Sequence, residues 1–241
     1  MPRYFIEVAY DGSAYSGFQV QKNANSVQAE VEKALKVFYR QELLLTGSSR
    51  TDAGVHAMQN FFHFDAPEPL GEGVYQLNAI IPGDIVIKRI FPVDDKAHSR
   101  FNALSREYRY FIYHQKDPFL GATAYYYPYT LDIKLLNQVA GMILAHTDFT
   151  AFSKRRSQVK SYQCDIQVSE WIQEGGRLIY RVKANRFLRG MVKGLVGTML
   201  QAGRGKITPA LFKNIVRAGD SARVNFSVPS HGLFLWKVEY P

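Results

Sequence analysis

Apolar side chains recur along the first half of the chain with two different spacings. Every second residue faces one side in residues 3–10, which is typical of a half-buried strand. After Ser26, a favourable helix-capping residue, apolar side chains recur every three or four positions, which predicts a helix. The first half is therefore predicted to run strand, helix, strand, strand, helix, strand. The strands are at 3–10, at 43–45, in a segment that ends at 64, and at 85–91, and the helices are at 27–39 and 74–80.

A similar order starts again after residue 104. A strand pattern precedes a helical pattern, and a Glu-Gly-Gly turn at 174–176 joins two further strands. The clearest helix of the chain follows, and Thr208 with Pro209 forms the start signal of a last helix. The second half is predicted to have strands at 107–114, 162–171, 178–184 and 233–240, and helices at 132–145, 188–201 and from 209.

Composition indicates a folded and basic protein. Its 241 residues are 46% hydrophobic, enough for a packed core, and a formal charge of +9 favours an anionic partner. Nucleic acid fits this charge better than a membrane, because no apolar run is long enough to cross a bilayer. The single cysteine, Cys164, excludes a disulfide framework and favours a reducing cytoplasm.

Sequence motifs for metals and nucleotide cofactors are missing. None of the six histidines pairs at helical spacing with a second histidine or a cysteine, and no phosphate-binding glycine loop follows a strand. We therefore expect neither a metal nor a cofactor, so the chemistry must come from side chains.

A polar segment bounded by glycines, residues 47–57, stands between two predicted strands. Its small residues would let another backbone approach closely, and Asp52 lies two residues after Arg50. This setting suits a reactive carboxylate that stays ionised beside a cation. A tight turn in which Asp52 caps its own backbone has the same spacing, so the residues alone leave both interpretations open.

Residues 49–57, Ser-Arg-Thr-Asp-Ala-Gly-Val-His-Ala, resemble the signature of the tRNA pseudouridine synthase A (TruA) family, in which the first residue is glycine. Further blocks of this family recur in order along nearly the whole chain. They lie at residues 10–12, 17–19, 100–103, 108–110, 146–149, 191–198 and 231–233.

Mostly antiparallel strands with helices intercalated in each half predict an α+β fold, and the resemblance implies that this fold is built from two ferredoxin-like or RRM-like halves. Residues 1–104 would carry the catalytic aspartate, and residues 105–241 would complete the active-site cleft. The halves would form one extended, mostly antiparallel sheet with helices on one face and a central cleft. The family also implies a homodimer, which composition cannot show.

The resemblance implies a reaction as well. Uridines at about positions 38 to 40 of the tRNA anticodon arm would be isomerised to pseudouridine, with Asp52 as the nucleophile and no cofactor. Tyr108 would stack on the target base and take part in the loss of the C5 proton. Arg50 would hold the flipped nucleotide.

The predicted helix 188–201 contains a cluster of glycines, Gly190, Gly194 and Gly197, with Lys193 beside them. Glycine inside a helix costs about 1 kcal/mol relative to alanine, so the cluster indicates close packing or a functional role. The family has an arginine at this position, paired with the catalytic aspartate. We therefore expect Lys193 to pair with Asp52, with snorkelling to solvent as the alternative.

Arginines interleaved with aromatic residues predict a phosphate-binding surface, although each alone is also typical of a solvated face. Besides Lys193, further departures from the family pattern affect details of tRNA docking and turn geometry. Phe18 replaces tryptophan, Val20 arginine and Ser49 glycine, and Lys160-Ser161-Tyr162 stands where an Arg-Thr-Ile run is common. The predicted RNA-binding residues are Arg50, Arg109, Arg155, Arg186 and Arg189. His56 and His231 are expected to be structural.

Two other classes of function remain open. A non-catalytic RNA-binding protein with RRM-like halves would explain the charge and the aromatic residues, but it leaves the Arg-Thr-Asp turn without a purpose. A glycosidase with a carboxylate pair would use Asp52, yet no second carboxylate has an equivalent setting of small residues.

Overall fold

The computed structural model describes residues 1–71, 73–154 and 159–241. It forms two compact units: unit 1 comprises Met1–Leu104 and Phe234–Pro241, and unit 2 comprises Ser105–Leu233. Residues 234–241, which were expected in the second half, thus belong to unit 1. Both units combine helices with mostly antiparallel strands, which confirms the α+β class.

Unit 1 has the element order of a ferredoxin-like fold. Its four main-sheet strands follow the order β4-β1-β3-β2, and every neighbouring pair is antiparallel. A strand from the C-terminus, β9, pairs with β3 in parallel, with His56 opposite Phe234. The elements are β1 (Arg3–Tyr10), α1 (Val27–Tyr39), β2 (Thr46–Gly47), β3 (His56–Asp65), α2 (Val74–Ile80), β4 (Ile85–Val93) and β9 (Leu233–Glu239).

The helix α1 forms where its pattern predicts it. The hydroxyl of Ser26 accepts a hydrogen bond from the N–H of Ala29 at 3.3 Å, which satisfies one of the free donors of the first turn. Val31 and Leu35 lie on its buried stripe and are fully buried. The predicted cap and the predicted apolar face are both confirmed.

The predicted strand 43–45 is wrong, because the strand β2 begins only at Thr46. Side chains of α1 form hydrogen bonds with both the N–H and the carbonyl of Leu45. Its N–H donates to Glu32 Oε1 at 3.0 Å, and its carbonyl accepts from the amide nitrogen Nε2 of Gln28 at 2.8 Å. Leu45 is buried, so its apolar side chain resembles that of a strand residue, but its backbone bonds side chains of α1 and not a neighbouring strand.

Unit 2 repeats part of this arrangement. Its strand order β5-β8-β7 is the same as the order β1-β3-β2 in unit 1, and a short strand, β6, pairs with β5 in parallel. The sequence pattern did not predict β6. The elements are β5 (Ser105–Tyr113), β6 (Tyr125–Tyr126), α3 (Ile133–Met142), β7 (Ile166–Glu174), β8 (Arg177–Ala184), α4 (Met191–Gly203) and α5 (Pro209–Ala218).

Several boundaries in unit 2 differ from their predictions. The strand β7 begins four residues later than predicted, at Ile166, and α3 ends at Met142 and continues as a short 3-10 helix. The helix α4 begins at Met191, because Gly190 adopts a left-handed conformation with φ 74° and acts as the N-cap. In the part of the chain that the structure describes, no helix is both long and apolar enough to span a membrane.

Candidate active site

Asp52 lies on a tight turn between β2 and β3 of unit 1. The N–H of Val55 donates to the carbonyl of Asp52 at 3.2 Å and closes the turn. On its other side, Asp52 pairs with Gly17 in an isolated antiparallel bridge, and the N–H of Phe18 donates to the carbonyl of Thr51 at 3.2 Å. The side chain of Asp52 is half-buried. The backbone that carries the carboxylate is therefore held from two sides.

The expected approach of a second backbone to the 47–57 segment is present in unit 1. A Cβ atom at Gly12 would overlap the carbonyl of Val55, and one at Gly17 would lie 3.1 Å from the carbonyl oxygen of Thr51. Gly17 also has a φ of +128°, which side chains rarely tolerate. These two glycines therefore let the 12–18 segment lie directly on the turn that carries Asp52.

A buried cluster of polar side chains lies beside the turn, with Asn60 at its centre. The Asn60 amide nitrogen donates to the hydroxyl of Tyr10 at 3.2 Å and to the carbonyl of Ser49 at 3.1 Å. Its amide oxygen accepts from the hydroxyl of Ser48 at 2.7 Å. The Tyr10 hydroxyl in turn lies 2.8 Å from that of Thr51. The cluster ties β1 and β3 to the residues immediately before Asp52.

Sequence reasoning missed this cluster, although a signal for it existed. Asn60 stands in line with Phe62 and Phe64 in the alternation of β3, where an apolar residue would be expected, and it is fully buried. A buried amide in such a position needs partners, because an unsatisfied one costs free energy. The identity of those partners depends on the fold.

His56 makes the contacts expected of a structural histidine. It is 1% exposed, and its Nδ1 lies 3.0 Å from Asp11 Oδ1 and 3.1 Å from the N atom of Gly12. The ring stacks on Phe234 at 4.5 Å between centroids. Burial raises the pKa of Asp11, but hydrogen bonds from Ser13 and the nearby His56 outweigh it, so the pKa lies below its usual value.

Tyr108 lies in unit 2, on β5 opposite Val182 of β8. Only 9% of the residue is exposed, and its ring packs edge to face against Phe187 at 5.0 Å between centroids. This packing fixes the ring orientation, which a stacking residue requires.

Lys193 lies on the first turn of α4 in unit 2. Its Nζ donates to the hydroxyl of Ser230 at 3.1 Å. The neighbouring glycines have packing reasons: a Cβ atom at Gly194 would stand 2.8 Å from the ring of Phe226, and one at Gly197 would overlap the carbonyl of Asn225. Gly190 is the N-cap, so only two of the three glycines lie inside the helix.

The predicted RNA-binding arginines have different environments. Arg50 and Arg189 are exposed, and Arg186 is half-buried. Arg109 is half-buried as well, and Arg155 lies outside the described residues. A guanidinium group binds phosphate through paired N–H donors, so an exposed arginine suits this role.

Arg109 takes part in an ion-pair network on the sheet of unit 2. Its Nε donates to Glu107 Oε1 at 2.9 Å, and the other oxygen of that buried carboxylate accepts from Arg181 at 3.1 Å. Arg181 also donates to Glu170 at 3.1 Å. The sequence did not predict this network, because it depends on which residues of β5, β8 and β7 are neighbours.

Comparison with known proteins decides the family. A family model described as tRNA pseudouridine synthase matches residues 144–241. The tRNA pseudouridine synthase A of Parabacteroides distasonis is 42% identical over 244 residues, which cover 100% of this chain and 97% of that protein. This chain belongs to the tRNA pseudouridine synthase A family. Proteins with the same name from Porphyromonas gingivalis and Bacillus subtilis are 40% and 37% identical, over 100% and 97% of this chain and 98% and 97% of their own lengths.

Membership of the tRNA pseudouridine synthase A family confirms the resemblance read from residues 49–57. The residues to which that resemblance gives chemical roles occur in both units. Asp52 and Arg50 lie in unit 1, whereas Tyr108 and Lys193 lie in unit 2.

Proposed function

We propose that this protein isomerises uridine to pseudouridine in tRNA, at about positions 38 to 40 of the anticodon arm, with Asp52 as the nucleophile. The observation that carries the proposal is the turn 52–55, which holds a half-buried aspartate against a glycine-lined backbone segment. A non-catalytic RNA-binding protein has no use for such a turn. Membership of the tRNA pseudouridine synthase A family supports the same reaction.

The reaction exchanges one bond of uridine for another. Asp52 attacks the flipped nucleotide, the bond between N1 of uracil and C1′ of ribose breaks, and the detached uracil turns in place. A bond then forms between C5 and C1′, C5 loses its proton, N1 gains one, and Asp52 is released. The sum is an isomerisation that consumes no co-reactant. Attack at the ribose and attack at the base both satisfy this balance.

Three further side chains take roles in this proposal. Tyr108 stacks on the target base and assists removal of the C5 proton, and its fixed ring supports this role. Arg50 holds the flipped nucleotide. Lys193 pairs with Asp52 and keeps the carboxylate ionised, because a nearby cation lowers the pKa of a carboxyl group.

Binding of tRNA is proposed to depend on phosphate contacts with basic side chains. The formal charge of +9 and the exposure of Arg50 and Arg189 support this role, to which Arg186 and Arg155 are also assigned. Arg109 binds phosphate only if it exchanges its contact with Glu107. We further propose that the protein acts in the cytoplasm as a symmetric homodimer, since one subunit is small for an L-shaped RNA.

The test is release of tritium from tRNA labelled at C5 of uridine. We expect Asp52→Asn to keep its fold and its tRNA affinity but to lose turnover by several orders of magnitude, because an amide is not a nucleophile. Asp165→Asn serves as the matched control, since Asp165 is an exposed aspartate of unit 2.

Each alternative gives its own result in this assay. Wild-type protein that binds tRNA without releasing tritium would be an RNA-binding module, and free uracil would indicate a glycosidase. Single-turnover pseudouridine formation by Asp52→Asn within tenfold of wild type would refute the assignment of Asp52.

A further inference from the structure

The segment between β4 and β5, residues 94–104, presents an exposed aromatic ring. Phe101 is 75% exposed, and its neighbour Arg100 is also exposed, with the guanidinium carbon 5.8 Å from the centre of the ring. Single exposed apolar residues are common on protein surfaces and usually have no function. The reason to assign a function to Phe101 is the structure that holds it.

Hydrogen bonds inside the segment fix its backbone. The N–H of His98 donates to the side-chain oxygen of Asn102 at 2.5 Å, and the N–H of Asn102 donates to the carbonyl of His98 at 3.0 Å. The ring nitrogen Nδ1 of His98 accepts from the N–H groups of Arg100 at 3.1 Å and Phe101 at 3.4 Å. The loop is therefore closed around His98, whose ring contacts that of Phe101.

Other parts of unit 1 anchor the same segment. Arg3 donates to the carbonyl of Ala97 at 3.0 Å, and the hydroxyl of Tyr240 donates to the carbonyl of Ser99 at 2.6 Å. The hydroxyl of Ser99 donates to the carbonyl of Thr46 at 2.8 Å. A segment with so many fixed backbone groups loses little conformational entropy when a ligand binds.

Phe101 stands at the end of a row of three neighbouring rings, each tilted against the next. Its centroid lies 4.2 Å from that of His98, which lies 4.4 Å from that of the buried His63. Burial and the charge of Arg3 lower the pKa of His98, and burial with His98 and Arg3 lowers the pKa of His63 to about 4. Both rings are thus neutral at neutral pH. One side of Phe101 is supported by this row of rings, and the ring as a whole is largely exposed.

We propose that Phe101 is a stacking platform for an unpaired base of the tRNA, separate from the uridine that reacts at Asp52. The proposal rests on the proposed function, which supplies the RNA. A rigid exposed ring beside an arginine suits a nucleotide, because the base stacks on the ring and the cation contacts the phosphate. The base must be unpaired, because the faces of a paired base are covered by its neighbours in the helix.

Phe119 provides a matched control for this proposal. It is 89% exposed on a turn of unit 2, and among the described residues it has no ring partner. It therefore has the exposure of Phe101 without the supporting row of rings. A comparison of the two substitutions separates stacking on a fixed platform from a general loss of exposed aromatic surface.

The experiment measures tRNA affinity and tritium release for wild type, Phe101→Leu, Phe101→Trp and Phe119→Leu. We expect Phe101→Leu to weaken tRNA binding by about fivefold or more, with a matching increase in KM and an unchanged kcat. Phe101→Trp should bind as well as wild type or better, and Phe119→Leu should equal wild type. All variants should keep the wild-type melting temperature, because the substituted side chains are exposed.

Salt dependence distinguishes stacking from charge. Loss of a stacking contact should leave the slope of log affinity against log salt unchanged, whereas loss of a phosphate contact makes the slope shallower. Affinity of Phe101→Leu within twofold of wild type, or an equal loss in Phe119→Leu, would overturn the proposal. A wild-type protein that binds tRNA but releases no tritium would refute the proposed function instead, and the affinities would still test Phe101.

Discussion

Replacement of Asn60 by leucine should weaken both the fold of unit 1 and the reaction at Asp52. The side chain makes four hydrogen bonds: with Tyr10, Ser48 and the carbonyl of Ser49, and with the N–H of Phe61 at 2.9 Å. At about 1 kcal/mol each they contribute roughly 4 kcal/mol. Buried leucine returns about 1.5–3 kcal/mol through its apolar surface, so we expect a net loss of about 1–2.5 kcal/mol in the free energy of unfolding.

The effect on catalysis should exceed the effect of instability alone. Without Asn60, Ser48 and Ser49 lose their hydrogen bonds to the side chain of this β3 residue. A displacement of about 1 Å at a reacting group can cost about 100-fold in rate. Leu77→Ala is the control, because Leu77 is fully buried in α2 and its loss costs about 2–5 kcal/mol without touching the turn. Urea unfolding at pH 7 gives the stability of each variant, and single-turnover tritium release gives the rate.

A second variant tests the same cluster in case Asn60→Leu does not fold. Asn60→Asp keeps an oxygen that accepts from Ser48 but places a buried carboxylate opposite the carbonyl of Ser49. Burial raises the pKa of such a carboxyl group, so the variant should gain stability relative to wild type as the pH falls from that raised pKa towards about 4. The reasoning is refuted if Asn60→Leu matches the single-turnover rate of Leu77→Ala, or if Asn60→Asp has the pH profile of wild type.

Three further predictions concern charge and assembly. Lys193→Met should cripple catalysis and move the acid limb of the pH profile upward, since the proposed pairing with Lys193 keeps the carboxylate of Asp52 ionised. Lys193→Arg should stay active. A wild-type rate and pH profile in Lys193→Met would mean that Lys193 only snorkels. The pKa of His63 is about 4 in the fold and about 6.5 in the unfolded chain. As the pH falls from 6.5 to 4, the unfolded state binds more protons than the folded state. The free energy of unfolding should therefore fall by roughly 3 kcal/mol over this range. In thermal unfolding, the stability of His63→Gln should change less with pH over this range than that of wild type. Light scattering should show a homodimer at micromolar concentration, and binding measurements should show a tRNA affinity that falls steeply with salt. A monomer of 27.5 kDa with and without tRNA would contradict the homodimer.

Local pattern determined most helices and strands of this protein. The cap at Ser26 and the stripe of α1 occur as predicted, as do the cap at Thr208 and the hairpin turn at Gly175 and Gly176, where φ is positive at both glycines. These features depend on residues within a few positions of one another, so their physical cause is present in the sequence. The family could also be predicted from the sequence, because its short motifs occur in order along the chain.

The tertiary structure decided which distant groups meet. Residues 234–239 of the C-terminal strand β9 lie in unit 1 and pair with β3 at His56 and Ala57, although nearly 180 residues separate them in sequence. The partners of Asn60 were likewise undetermined, since alternation shows only that its side chain points inward. Periodicity specifies the buried face of an element but not its neighbour, and hydrogen bonds between distant residues depend on the neighbour.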